Sequence, residues 1–226
     1  MAKNKLKKFK ENKTFHNLIQ PKRDDLVNDN FIFKGKWNEE FFKNDRPIIL
    51  ELGCGKGDYT IGLAKENPDK NFIGVDIKGA RLWTGAKTAI ENSYENAAFL
   101  RSSIEFIPVL FEKNEVSEIW ITFPDPQIKF RRAKHRLTHP DFLEKYHQVL
   151  KEDGIIHLKT DSEFLHGYTL GVLQMLGHEI LISNHDVYNP SNKSIPEEVT
   201  KIKTYYESKF LEEGKLITYI RFKLNY

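Results

Sequence analysis

From residue 47 onward the chain alternates short apolar runs with segments of helical spacing, and this rhythm constrains the fold more than any other feature. The runs at 47–52, 71–76, 97–100, 116–123, 155–159, 179–184 and 216–224 read as seven strands. The segments 57–66, 78–91, 104–111, 140–150 and 162–176 read as helices. Asn67-Pro68 stops the first of these, Pro140 suits a first helical turn, and Ser162-Glu163 opens the last. Strands separated by helices join as right-handed β-α-β units. The expected architecture is therefore α/β, a doubly wound, mostly parallel seven-stranded sheet. The last two strands are close in sequence order with no long helix after the last, so the final pair is expected to include an antiparallel edge hairpin, with an antiparallel C-terminal strand.

The chain of 226 residues is 39% hydrophobic and 30% charged, enough for a core and incompatible with global disorder. No apolar run approaches the ~18 residues of a membrane span, and MAKNKLKKFKENK lacks the apolar segment of an export signal. The single cysteine, Cys54, excludes an internal disulfide, and no Cys/His cluster has zinc spacing. A cytoplasmic protein with no metal and no membrane partner is expected; monomer and homodimer both stay open.

The net charge of +3 hides an uneven distribution. Residues 1–23 carry Lys3, Lys5, Lys7, Lys8, Lys10, Lys13, Lys22 and Arg23 against Glu11 alone. This stretch is expected to be a basic tail, not necessarily ordered, ahead of a single domain at 24–226. A second acid-free run holds Lys129, Arg131, Arg132, Lys134 and Arg136. Two basic clusters on a near-neutral body point to a polyanion. A lone basic tail would be read as a solvated one, but the second cluster follows directly on a site motif.

The first strand ends in Glu51-Leu-Gly53-Cys-Gly55-Lys-Gly57, which then opens a helix. Gly53, Gly55 and Gly57 let backbone approach a ligand closely at the carboxyl edge of the sheet; the plain alternative is a tight strand-helix turn. The spacing is not the G-x-G-x-x-G of dinucleotide sites. Glu51 beside a pyrophosphate would repel it, whereas it suits a ligand with a cationic end, such as the amino group or sulfonium of S-adenosylmethionine. Asp76, ending the second strand, is placed to accept ribose hydroxyls, or else caps the next helix. Cys54 reads as a small packing residue.

The fourth strand runs into Phe123-Pro-Asp125-Pro-Gln-Ile-Lys129-Phe-Arg131-Arg132. The two prolines stiffen the backbone around Asp125, which the topology aims at the same crevice. The cations and Phe130 suit phosphates and a stacked base. Thr204 and Glu207 have the spacing of a capping box. Of the histidines, His157 alone lies in a strand near the site, and a structural role is expected for it.

At these residues the chain resembles the bacterial single-subunit tRNA (guanine-N7-)-methyltransferases. ELGCGKG at 51–57, GVD at 74–76, FPDP at 123–126 with Lys129, HLKTD at 157–161 and TYYESKF at 204–210 carry the likeness over roughly residues 45–225. Gln127-Ile128 stand where the family has Trp-Pro, and Arg101-Ser102-Ser103 where members carry an acid, so Ser103 alone is taken as the adenine-side contact. The resemblance implies a Rossmann-like class I methyltransferase fold. It also implies methyl transfer from S-adenosylmethionine to N7 of guanosine 46 in the variable loop of tRNA. By similarity Glu51, Asp76, Ser103 and Asp125 line the cofactor site, with Asp125 catalytic. Lys129, Asp161, Thr204, Tyr205, Tyr206 and Glu207 face the guanosine, and Arg131, Arg132, Lys134 and Arg136 hold the RNA backbone. Guanine N7 bears a lone pair and no proton, so no general base is demanded. A dinucleotide-dependent oxidoreductase and a non-catalytic RNA-binding protein on the same fold are the competing readings. Glu51 argues against the first, the intact glycines and acids against the second.

Overall fold

The run Ile48–Leu52 is buried at every position and lies inside the sheet with a parallel neighbour on each side. Apart from Glu51 it is apolar throughout, as a strand covered on both faces requires. The computed structural model describes residues 2–191 and 194–225; Met1 and Tyr226, which end the expected tail and domain, lie outside them. In chain order the strands are β1 (Leu18–Ile19), β2 (Ile48–Leu52), β3 (Asn71–Asp76), β4 (Ala97–Arg101), β5 (Val116–Thr122), β6 (Leu150–Thr160), β7 (Glu179–Asn184) and β8 (Thr218–Lys223). The helices are α1 (Ala2–Glu11), α2 (Arg23–Val27), α3 (Asp58–Glu66), α4 (Gly79–Glu91), α5 (Ile107–Leu110), α6 (Pro140–His147), α7 (Glu163–Leu176), α8 (Glu197–Lys201) and α9 (Tyr205–Glu212).

The sheet order is β1-β4-β3-β2-β5-β6-β8-β7. Strands β1 to β6 are parallel, and β8 pairs antiparallel with both β6 and β7. The chain winds outward from β2 through β3 and β4, then returns to β5 on the other side. This reversal opens a crevice at the carboxyl ends of β2 and β5, where α/β sheets bind ligands. Among the described residues no helix is long and apolar enough to cross a membrane.

The sheet has eight strands where the sequence predicts seven, and the extra one comes from the basic N-terminal stretch. That stretch is built onto the body. The Asn12 side-chain amide donates to the Gly79 carbonyl at 2.8 Å and Asn17 to Ala86 at 3.0 Å. The Trp83 indole N–H donates to Glu11 at 2.7 Å. Phe9 packs so close to Gly79 that a Cβ there would sit 2.9 Å from its ring. Leu18–Ile19 then pair with β4. Lys5, Lys7, Lys10 and Lys13 remain exposed. The expected helix at 104–111 is split into a 3-10 turn, Ile104–Phe106, and α5, because Pro108 in the first turn of α5 has no amide to carry the helix backward. A π-helical turn, Trp37–Phe42, carries aromatic rings onto one face of the sheet.

Candidate active site

The loop after β2 takes three left-handed turns, with φ of 79° at Gly53, 59° at Gly55 and 80° at Gly57. Residues bearing a Cβ rarely hold these angles. The Gly53 and Cys54 amides donate to the Val75 carbonyl at 2.8 and 3.1 Å, locking the loop to β3. Asp76 completes the lock: one oxygen accepts the Gly55 amide at 3.0 Å, the other the Lys78 amide at 2.7 Å. Each oxygen keeps a free lone pair, so tying the loop and receiving a hydroxyl are compatible.

Glu51 lies beneath the loop, almost wholly buried. The Thr60 amide donates to it at 2.8 Å, the Thr122 hydroxyl at 2.6 Å, and the Thr60 hydroxyl also donates. Burial pushes its pKa up to about 7 against those hydrogen bonds. An unfolded glutamate ionises near 4.5, so between about pH 4.5 and 7 the folded state holds a proton the unfolded state has released. Stability therefore falls as pH rises through that window, by on the order of 3 kcal/mol. Glu51→Gln is expected to remove that part of the decline, read from urea midpoints measured from pH 4.5 to 8; parallel curves for the two proteins would contradict it. Burial and the nearby acids also push the Cys54 thiol up, which leaves it a packing residue.

Two recesses open above these residues. A cleft of about 420 Å³ is lined by Asp76, Lys78, Ser103, Ile104, Asp125 and Phe142, among others. A narrower recess of about 90 Å³ is lined by Glu51, Gly55, Lys56, Thr122, Thr204, Tyr205 and Tyr206. Gly53, Arg81 and Phe123 belong to both. Over the cleft, residues 123–127 form a strained turn, with φ of 48° at Phe123 and 46° at Gln127. Asp125 is exposed at its tip and accepts the Gln127 amide at 3.0 Å.

A family profile described as "Putative methyltransferase" matches residues 45–220. A protein named tRNA (guanine-N(7)-)-methyltransferase from Christiangramia forsetii is 65% identical over 223 residues, 99% of this chain and 99% of its own length. The chain belongs to the tRNA (guanine-N(7)-)-methyltransferase family. A protein of the same name from Bacteroides fragilis is 47% identical over 99% of this chain and 87% of its own. Among solved structures, the 16S rRNA methyltransferase KamB superposes with a TM-score of 0.63 at 14% identity, covering 83% of this chain and 92% of its own. A 30S ribosomal A1408 methyltransferase from an uncultured bacterium gives 0.60 at 16% identity, covering 91% and 95%. At such identities the likeness speaks for the fold, which is the class I methyltransferase α/β sheet.

In this methyltransferase, Gly53, Asp76, Ser103 and Asp125 line the larger cleft, and Glu51, Gly53, Gly55, Thr204, Tyr205 and Tyr206 the smaller recess. Lys129, Arg131, Arg132 and Lys134 are exposed, the last three on the 3-10 turn Phe130–His135. Three expected roles need correction, those of Gly57, Arg136 and Glu207. Gly57 is buried, and a Cβ on it would lie 2.5 Å from the Phe99 ring, so it gives packing clearance instead of ligand approach. Arg136 is buried with backbone partners and is not presented to a phosphate. Glu207 is fully buried against Lys159 at 2.6 Å, so it cannot face a guanosine. Asp161 pairs with Lys215 at 3.2 Å at the end of β6. His157 shares a hydrogen bond with the Tyr219 hydroxyl at 2.7 Å, lies 3.0 Å from Glu118 and stacks on Trp120, which is the structural role expected of it.

The sequence reading missed Thr60 and Thr122, which hold Glu51 from 9 and 71 residues away. It also missed Arg81, in the first turn of α4, and Lys159. Arg81 lies five residues after Asp76, in the first turn of the helix that starts beside the same strand end, a place legible from the expected helix at 78–91.

Proposed function

We propose that this chain transfers a methyl group from S-adenosylmethionine to N7 of guanosine 46 in the variable loop of tRNA. The observation that carries the reading is the junction of the two recesses at Gly53 and Phe123, which lets a nucleoside-type donor and a base meet over one strand end. The residues fit the donor. The larger cleft falls within the roughly 300–1,000 Å³ of ligand pockets. Asp76 has lone pairs for ribose hydroxyls, Ser103, Ile104 and Phe142 offer a slot for a flat base, and Glu51 is an acid of the smaller recess suited to a cationic end. When bound, the donor supplies an electrophilic methyl carried on a sulfonium.

The protein's task is alignment, because guanine N7 needs no deprotonation before attack. Tyr205 and Tyr206, both exposed beside the smaller recess, suit a base taken out of its stack. Asp125 is read as accepting from the guanine N1–H and exocyclic amine while favouring the positive charge that develops on the ring. Asp161 and Lys129 complete the guanosine-facing rim. Arg131, Arg132 and Lys134 are read as phosphate partners, as are the exposed lysines of α1.

Incubation with bulk tRNA and S-adenosylmethionine, followed by mass-spectrometric mapping, is expected to find 7-methylguanosine at position 46. Its absence, or modification of another base, would reject the reading. Binding of tRNA is also expected to weaken steeply with salt. Removing one cation from a phosphate, as in Arg131→Gln or Arg132→Gln, should lower the slope of log Kd against log salt by about 0.7–0.9. A slope unchanged in both variants would remove these residues from the RNA surface.

A further inference from the structure

Arg136 belongs by sequence to the exposed basic run, yet it is only 5% exposed. Its guanidinium donates to the Gln127 carbonyl from Nε at 3.3 Å and from Nη2 at 3.1 Å, and Nη2 reaches the Ile128 carbonyl at 3.5 Å. The group lies over two rings of α7, Tyr168 at 4.3 Å and Phe164 at 4.8 Å. Gln127 is the residue with φ of 46°, and its amide donates to the Asp125 carboxylate at 3.0 Å. A backbone angle of that kind persists in a residue with a side chain only where the surroundings over-determine it. Pro124 and Pro126 restrain the first half of the turn; at 127 and 128 no ring does.

We propose that Arg136 is a positioning residue, which fastens the turn at 127–128 to α7 and so fixes the Asp125 carboxylate over the cleft. The relay is short: guanidinium to Gln127 carbonyl, Gln127 amide to Asp125. Arginine suits it because a planar fork addresses two carbonyls at once, stacks on aromatic faces and tolerates burial better than an ammonium. The inference rests on the reading of Asp125 as serving the reaction.

Arg136→Lys keeps the charge and loses the fork. It is expected to lower kcat by about tenfold to a hundredfold, the penalty of a misplaced group. KM for tRNA, S-adenosylmethionine affinity and the salt slope of tRNA binding should stay at wild-type values. In an Asp125→Ala background the same change should cost less than about twofold, because the two act as one unit. Wild-type kcat in Arg136→Lys overturns the proposal. So does a raised KM with a shallower salt slope in Arg136→Gln, the pattern of a direct phosphate partner. If Arg136→Lys fails to fold, Phe164→Ala, at a ring 45% exposed, loosens the same stack. It is expected to lower kcat by about threefold or more with KM unchanged, and a wild-type kcat there also overturns the proposal. Asp125→Asn in the intact protein separates the two ideas. Full turnover in that variant rejects the role of Asp125, and amide exchange at Gln127 and Ile128, faster in Arg136→Lys if the fastening is real, then still decides for or against Arg136.

Discussion

Asp125→Ala is expected to lower the turnover of tRNA methylation by about 10²–10³-fold, the range seen when a group that stabilises developing charge is removed. The fold should survive. The side chain is exposed and accepts a single amide across a turn, so its loss costs about 0.5–1.5 kcal/mol. Affinity for S-adenosylmethionine should fall far less than turnover, because of the cleft's lining only Asp125 is lost while Asp76, Glu51 and the glycine loop are untouched. Single-turnover rates with saturating tRNA, beside circular dichroism and cofactor titration, give the answer. A rate within tenfold of wild type would place the decisive group elsewhere in the cleft.

The second large effect concerns stability. Lys159 and Glu207 are both fully buried, 2.6 Å apart, and Glu207 also takes the Tyr188 hydroxyl at 2.7 Å. Burial pushes Lys159 down to about 8 while the carboxylate pulls it back, so it is still charged at neutral pH. Glu207→Leu leaves that ammonium buried without its counter-ion and is expected to cost about 3–5 kcal/mol. The double variant Lys159→Met, Glu207→Leu should recover much of this, since apolar groups of similar volume often replace a buried pair without loss. Urea unfolding of the three proteins measures it. A cost below about 1 kcal/mol for the single change would mean that the pair is solvated and worth no more than a surface bridge. The pair matters for the site because Glu207 also closes the capping box with Thr204, directly beneath Tyr205 and Tyr206. A double variant that is stable yet slow would show that the ion pair sets where those rings stand.

The sheet was legible because its evidence is local. Apolar runs such as 48–52 and 71–76 end in glycine or aspartate, and the helices between them have clear stops. The glycine loop, Asp76 and the Pro-Asp-Pro turn were legible for the same reason. What the sequence hid depends on partners far along the chain. Lys159 and Glu207 look like surface charges until a pairing across 48 residues buries both. Arg136 looks like its neighbours in the basic run, and only the rings of α7 set it apart. In α1 lysines outnumber apolar residues, so the helical spacing of Ala2, Leu6 and Phe9 is masked by the charge of a basic tail, and only the fold shows the docking through Phe9 and the following Asn12. Thr60 and Thr122 are ordinary residues until folding gathers them around one carboxylate.

The two residues of β1 have an effect out of proportion to their length. They occupy the outer margin of β4, where the Phe99 amide donates to the Asn17 carbonyl at 2.7 Å. An uncovered strand margin is a template on which other chains assemble. A truncation meant to strip the N-terminal lysines must therefore spare residues 17–19; one that removes them would bare the flank of β4 and invite aggregation there.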